Sequence, residues 1–398
     1  MKQKKILVLA GTHFQIPVID YAKSLGHFVI TCDNKPDNPG HSHAHQYLNI
    51  STTERAAVLD AAQILEIDGI LAYGTDPAAP TAAFVSEEMR LPGNTQHSVE
   101  RLSNKRLFRQ FLAENKFNVP AFKTFCSLND ANAYAANCNH RLIIKPVDSS
   151  GSKGVSIIGP GDSLEKSFET AVNYSRSGEI IIESVIERKG PHIHGEAFVY
   201  NGKIEFLLLG DQYFSNYNPC APVSTTLPSL EHSDIMSNIS LELDRLIGLV
   251  GYKTGGLNIE IIRDPNDRLF FVEIGARNGG NLMPDLAGLA TGFNMAAANV
   301  NAALGFPVDL SWQLKQRTYC TQVILHSRSD GRFSGEIIPE HFRQNLKQKL
   351  VYYNEGDLVN AYQNSQDVIG VNLYSFDDAN TCTQLIDYVL HHDLVRLA

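Results

Sequence analysis

A few acidic and basic residues are spaced so that together they could handle a polyphosphate. Residues 141–155 read Arg-Leu-Ile-Ile-Lys-Pro-Val-Asp-Ser-Ser-Gly-Ser-Lys-Gly-Val. An apolar run ends in Lys145, a loop of small residues (Ser149 to Gly154) follows, and a second apolar run begins at Val155. A lysine projecting from a strand places a fixed positive charge on a phosphate. Ser150, Gly151, Ser152, Lys153 and Gly154 would let backbone N–H groups approach phosphate oxygens closely. The loop is not a Walker A motif, which ends G-K-[ST] and opens a helix; this one leads back into a strand. Taken alone, it also reads as a hairpin turn.

A second pattern lies in residues 257–281. Two apolar strands flank the turn Asp264-Pro-Asn-Asp267, which sets Glu260 and Glu273 side by side. Paired carboxylates among apolar neighbours are costly to bury without a cation. A hard divalent ion bridging nucleotide phosphates would relieve that cost, and Mg2+ favours one or two carboxylates plus phosphate oxygens, with Mn2+ as an alternative. Arg277 can stabilise charge on a transferring phosphoryl group. The competing reading is a hairpin with exposed acids. A third, weaker pattern is the apolar run into Glu183-Ser184-Val185-Ile186-Glu187. Such a hinge can offer backbone groups to an adenine edge, and Glu196 could then accept from ribose hydroxyls. Strand-end acids are more often simply solvated.

The elements that must position these groups are legible in outline. Residues 1–103 alternate strand and helix: Ile6–Ala10, Ile16–Leu25, Phe28–Cys32, a helix to Leu65 behind a capping box at Ser51–Glu54, and Asp68–Tyr73. This is an open α/β unit whose ligand side lies beyond the strand C-termini. Gly11-Thr12-His13 is no dinucleotide fingerprint and reads as a tight turn or a substrate contact. His41, His43 and His45 share one Pro/Gly/Asn-rich loop, which rarely makes a closed metal site. Residues 104–310 read as α+β, and 311–398 as a smaller α+β region with strands at Thr318–Leu325 and Gly370–Tyr374 and a helix at Thr381–Leu390.

The chain of 398 residues carries 43% hydrophobic and 19% charged residues, enough for two or three units with buried cores. A net charge of −9 argues against a nucleic-acid partner. No apolar run approaches the ~20 residues of a membrane span. The six scattered cysteines lack C-x-x-C spacing and read as free thiols of a cytoplasmic protein. A homodimer is the commonest prior for a soluble enzyme.

Taken in order, these motifs resemble the ATP-grasp superfamily, most sharply over residues 104–305. The resemblance implies that Lys105 and Lys145 contact ATP phosphates and that Ser149–Gly154 closes over them. It implies an adenine hinge at Glu183–Glu187 with backbone contacts at Val185 and Ile186, a ribose acid at Glu196, magnesium carboxylates at Glu260 and Glu273, and Arg277 on an acyl phosphate. The first unit resembles the pre-ATP-grasp domain of biotin carboxylases and carbamoyl phosphate synthase-like proteins. The run Glu-Ile-Gly-Ala-Arg-Asn-Gly-Gly at 273–280 resembles carboxylate–amine ligases, L-amino-acid ligases among them. The implied activity is ATP-dependent joining of a small carboxylate and an amine, amino acids being the expected pair. A bicarbonate-activating carboxylase and a non-catalytic ATP-binding module are the rivals. Asp211–Phe214 and Ser224–Ser229 are candidate substrate segments. Many relatives carry Asn two residues after the second acid, where this chain has Gly275, so the second metal would be held otherwise, with Asn278 or Asn281 as candidates, or weakly.

Overall fold

The computed structural model describes residues 2–316 and 318–398. Its first unit is a four-stranded parallel sheet of β1 (Lys5–Leu9), β2 (Phe28–Cys32), β3 (Gln46–Leu48) and β4 (Gly69–Ala72), in the order β3-β2-β1-β4. Its central strands are continuous apolar runs because helices cover both faces. The turns after β1 and β4 carry Thr12–Phe14 and Gly74–Asp76 to one edge. The expected capping box is absent. The Ser51 hydroxyl accepts from Thr53 N–H two residues on, and the helix Arg55–Leu65 starts from Glu54 without a side-chain cap. A serine that satisfies its own local turn no longer caps.

A four-stranded antiparallel sheet follows, built from β5 (Phe122–Phe125), β6 (Leu142–Pro146), β7 (Ser156–Ile158) and β8 (Ile180–Ser184), ordered β5-β8-β6-β7. Below it runs an eight-stranded antiparallel sheet. Its strands are β9 (His192–Tyr200), β10 (Lys203–Phe214), β11 (Pro222–Leu227), β12 (Gly255–Arg263), β13 (Leu269–Gly275), β14 (Tyr319–Leu325), and two later ones. A small three-stranded sheet contributes β15 (Gly331–Glu336), β17 (Leu358–Val359) and β19 (Val395–Leu397), while β16 (Leu346–Val351) and β18 (Gly370–Phe376) complete the large one. The large sheet runs β13-β12-β9-β10-β11-β14-β18-β16, so strands of 311–398 are hydrogen-bonded into the same sheet as those of 192–275.

Period-two alternation decides which face of that sheet does chemistry. On β9 and β12 the odd positions Ile193, Ala197, Val199, Leu257, Ile259 and Ile261 join a core beneath the helix Met236–Val250. The even positions His194, Glu196, Asn258 and Glu260 turn to the other face. Glu260 pairs with Glu273 across β12 and β13, and a bulge follows at once, between Glu260 and Ile261. The extra residue, Val272, re-aims the β13 carbonyls.

Gly210 on β10 marks a close backbone approach. A Cβ there would lie 1.8 Å from the Thr226 carbonyl oxygen of β11. Gly210→Ala should therefore force β10 and β11 apart and lower unfolding free energy by about 2 kcal/mol or more. Urea melts read this, and an unchanged midpoint would contradict the packing.

Candidate active site

A cavity of about 800 Å3 lies where the three larger sheets meet. Lys105, Lys145, Ser150–Lys153, Glu183–Ile186, Glu260, Glu273 and Arg277 all line it. The helix Lys105–Glu114 is capped by the Asn104 side chain, which accepts from Leu107 N–H. That cap fixes Lys105 in the first turn and Arg109 one turn later on the same face. Lys105 donates to the Ser149 carbonyl at 2.7 Å and stands 3.3 Å from a Glu273 oxygen. It thus touches both the small-residue loop and the acid pair.

Glu183 plays a different part from the one its place in the hinge suggests. Its carboxylate is buried between Lys145 Nζ at 2.7 Å and Arg109 Nε at 2.7 Å. Arg109 also donates to the carbonyls of Phe271 at 3.2 Å and Val272 at 2.9 Å, the two residues around the bulge. Burial alone would raise the Glu183 carboxyl; the two cations overcome it and hold it down at about 2. Burial lowers Lys145, with Glu183 opposing. Val185 N–H is already donated to the Arg141 carbonyl at 3.0 Å, leaving that residue's carbonyl for a ligand. Glu187 is exposed and lines a separate hollow of about 410 Å3 with Asn118–Pro120.

Glu196 requires a correction. It is 0% exposed and does not reach the cavity, so it cannot meet ribose hydroxyls. Its oxygens accept from Asn258 Nδ2 at 3.0 Å, Gly279 N–H at 2.8 Å and Asn278 Nδ2 at 2.6 Å. Burial pushes its carboxyl up to about 7 against these three donors. Glu196 is therefore the anchor of the loop after β13, which carries Arg277. Asn258 Nδ2, oriented by that bond, also donates to His194 Nε2 at 3.0 Å. The His194 proton is thus assigned to Nδ1, facing Thr225 Oγ1 at 3.2 Å, and burial drops its pKa to about 4, so the ring is neutral.

Arg277 reaches back to the first unit, pairing with Asp76, and donates to the Asn278 carbonyl at 2.9 Å. Its Nε is buried without a partner. Burial alone would raise the Asp76 carboxyl, and Arg277 holds it below its usual value. Gly275 sits under this pair: a Cβ there would lie 3.1 Å from both the Arg277 Cζ and an Asp76 oxygen. Asn278 is committed to Glu196 and to Asn299, whereas Asn281 lines the cavity. Of the candidate substrate segments, Gln212 and Phe214 line the cavity, while Asp211 is buried and ties down Ser229, Leu230 and Glu231. The three loop histidines are separated in role. His41 bonds Thr31 and Lys35, His43 pairs with Asp20, and His45 accepts from Val29 N–H. Arg109 and Asp76 were not singled out as site residues from the sequence. The i, i+4 spacing of Lys105 and Arg109 was the available signal for the first.

A lysine-bearing antiparallel sheet above a two-carboxylate strand pair is the geometry of a nucleotide clamp, and residues 102–281 match the ATP-grasp domain. That stretch is an ATP-grasp domain. The chain is similar to a formate-dependent phosphoribosylglycinamide formyltransferase of Prochlorococcus marinus (strain NATL1A), 25% identical over 188 residues, 46% of this chain and 48% of that protein. It spans about half the length of the curated relatives it matches first. Among solved structures it resembles the L-amino acid ligase from Bacillus licheniformis, with a TM-score of 0.80, 20% identity and 100% of both chains covered. It also resembles an N5-carboxyaminoimidazole synthetase from Staphylococcus aureus complexed with ADP, with a TM-score of 0.76, 16% identity and 98% of each chain covered. These two likenesses concern the fold.

The role of Glu196 as an anchor is testable by Glu196→Gln. One carboxylate oxygen becomes an amide donor facing a donor, a loss of about 1–3 kcal/mol in stability. Turnover should fall more than the KM for ATP rises, because Arg277 moves while the nucleotide contacts stay. A change confined to the KM for ATP would restore the ribose assignment.

Proposed function

We propose that this chain is an ATP-dependent carboxylate–amine ligase working through an acyl phosphate. The observation that carries the reading is the convergence, in one cavity, of Lys105, Lys145, the small-residue loop, the Glu260–Glu273 pair and Arg277. Binding a nucleotide alone needs no arginine held by a buried anchor beside two acids. The fold shared with an L-amino acid ligase is in keeping with the same class.

Chemically, a carboxylate oxygen of the acid attacks the γ-phosphorus of ATP, and ADP leaves. The amine then attacks the acyl carbon, phosphate departs and the nitrogen loses a proton. The protein contributes position and charge more than a nucleophile. Lys105 and Lys145 hold phosphate oxygens, the loop Ser149–Gly154 excludes water, and Arg277 meets the charge on the acyl phosphate.

The acid pair fits Mg2+. Glu260 and Glu273 are cross-strand partners, and among the described residues no third acid, cysteine or histidine completes a protein cage. That matches an ion held by one or two carboxylates together with phosphates. Bound there, Mg2+ would neutralise phosphate charge. Burial first, and then Glu273, raises the Glu260 carboxyl to about 7, with Lys105, Arg277 and Lys145 opposing.

The decisive assay is ADP release stimulated by pooled amino acids and small carboxylates, with hydroxylamine present to trap the acyl phosphate as a hydroxamate. Glu273→Gln should cut the rate by about 100-fold or more. ADP release that follows bicarbonate and needs no other acid would replace this reading with the carboxylase one.

A pH dependence follows with a definite sign. Because the folded pKa of Glu260 lies above its ordinary 4.5, the folded state holds that proton more tightly. The associated stability is complete below the ordinary value and is lost as pH climbs through the folded one. Mg2+ with ADP replaces that proton, so its gain in melting temperature should grow between about pH 6 and pH 8. Glu260→Gln should flatten the trend; equal gains in the unmodified protein at both ends would remove Glu260 from the metal site.

A further inference from the structure

The end of the cavity beside Arg277 is built differently from the phosphate end. Phe14, from the turn after β1, is wedged against the loop that follows β13: a Cβ on Gly280 would meet its ring at 3.6 Å, and one on Gly74 would meet its own Cβ at 3.0 Å. Tyr352, from the segment after β16, lies edge-on to Phe14 at 6.3 Å and 82°. On its other side it stacks on His13 at 5.4 Å and 25°. Met283, Ile324 and Val368 line the same cavity. Parts of the chain remote in sequence thus line the cavity with aromatic and aliphatic side chains.

No acid stands free at this end. Among the described residues, the acids lining the cavity are Asp76, Glu183, Glu260 and Glu273. Asp76 is taken by Arg277 and Glu183 by Arg109 and Lys145, while the other two form the opposed pair. Burial lowers the His13 pKa, which disfavours a charge on its ring. Arg277, the cation beside this end, is held by Asp76 and is assigned above to the acyl phosphate, so a charged side group on the acid would be desolvated here with no free counter-charge to meet it. The Tyr352 hydroxyl is buried and bonds to nothing in the protein. A buried donor of this kind normally has a partner, and a polar atom of a bound ligand would supply one.

Resting on the ligase reading above, we propose that the acid activated at this site carries a large, uncharged aromatic side group. The group lies against Phe14 and Tyr352, with the Tyr352 hydroxyl bonded to a polar atom of the same molecule. An aromatic amino acid and an aromatic acid without an amino group share this chemistry, and the assay separates them.

The experiment measures ADP release by the full chain with MgATP and hydroxylamine, offering phenylalanine, 3-phenylpropanoate, glycine, acetate, glutamate and lysine one at a time. Either phenylalanine or 3-phenylpropanoate should exceed the other four in kcat/KM by at least about tenfold, and which of the two leads identifies the source. Tyr352→Phe keeps the ring and should raise the KM for the preferred acid about 3- to 10-fold, while the KM for ATP moves less than about twofold. A best substrate that is small or charged, or a KM for the acid untouched by Tyr352→Phe, overturns the proposal and leaves the ligase reading standing. ADP release that no acid lifts above the Glu273→Gln background overturns both.

Discussion

Arg109 is the side chain on which the geometry of the site depends. One buried guanidinium joins the helix Lys105–Glu114, the Glu183 carboxylate of β8 and two carbonyls of β13. Through Glu183 it also fixes Lys145 on the neighbouring strand. The upper sheet carrying the lysine and the lower sheet carrying the acids are therefore locked by a single hydrogen-bonded cluster. Buried ion pairs are weak evidence for stability, since desolvation offsets much of their attraction. Their value here is geometric. The proposed phosphate recognition would need Lys145 and the acid pair held at a fixed separation, and a network in which each charge is met provides that more rigidly than apolar packing would.

The bulge in β13 makes this lock fit. Without the extra residue, the Glu260–Glu273 register would continue down the hairpin, and the carbonyls of Phe271 and Val272 would remain in the ladder with β12. Across the shift both carbonyls accept from Arg109, and both acids stay on the cavity face. Local irregularity in one strand thus couples the acid-bearing edge to the lysine-bearing sheet.

What was legible in the sequence was whatever depends on near neighbours. The apolar run into Lys145, the small residues after it and the two-strand spacing of Glu260 and Glu273 are set by period-two alternation and a short turn, so their elements could be read directly. Glu196 could not be placed this way. Its type and position after the hinge fit a ligand contact, yet its partners, Asn258, Asn278 and Gly279, lie 62, 82 and 83 residues away. Only the folded sheet shows that it lies under the loop instead of inside the cavity. Asp76 meets an arginine 201 residues later, beyond any local pattern. The helix before Leu65 failed at its start for a local reason, because Ser51 had a nearer donor to satisfy.

Gly275 brings these strands together. By composition alone, glycine in place of a polar ligand reads as an eroded metal site. In the folded chain the space above it is filled by the Arg277 guanidinium and the Asp76 carboxylate, each 3.1 Å from where a Cβ would be. An asparagine there would have to displace an ion pair that joins the first unit to the loop after β13. The absent side chain therefore allows Arg277 to lie directly over the end of the acid-bearing strand, close to the charge it is proposed to meet. Glu196 holds the loop from below and Asp76 holds the arginine from the side, so the position is fixed from two directions. The remaining unpartnered Nε of Arg277 is buried, and an oxygen of the acyl phosphate is the partner that the proposed chemistry would bring to it.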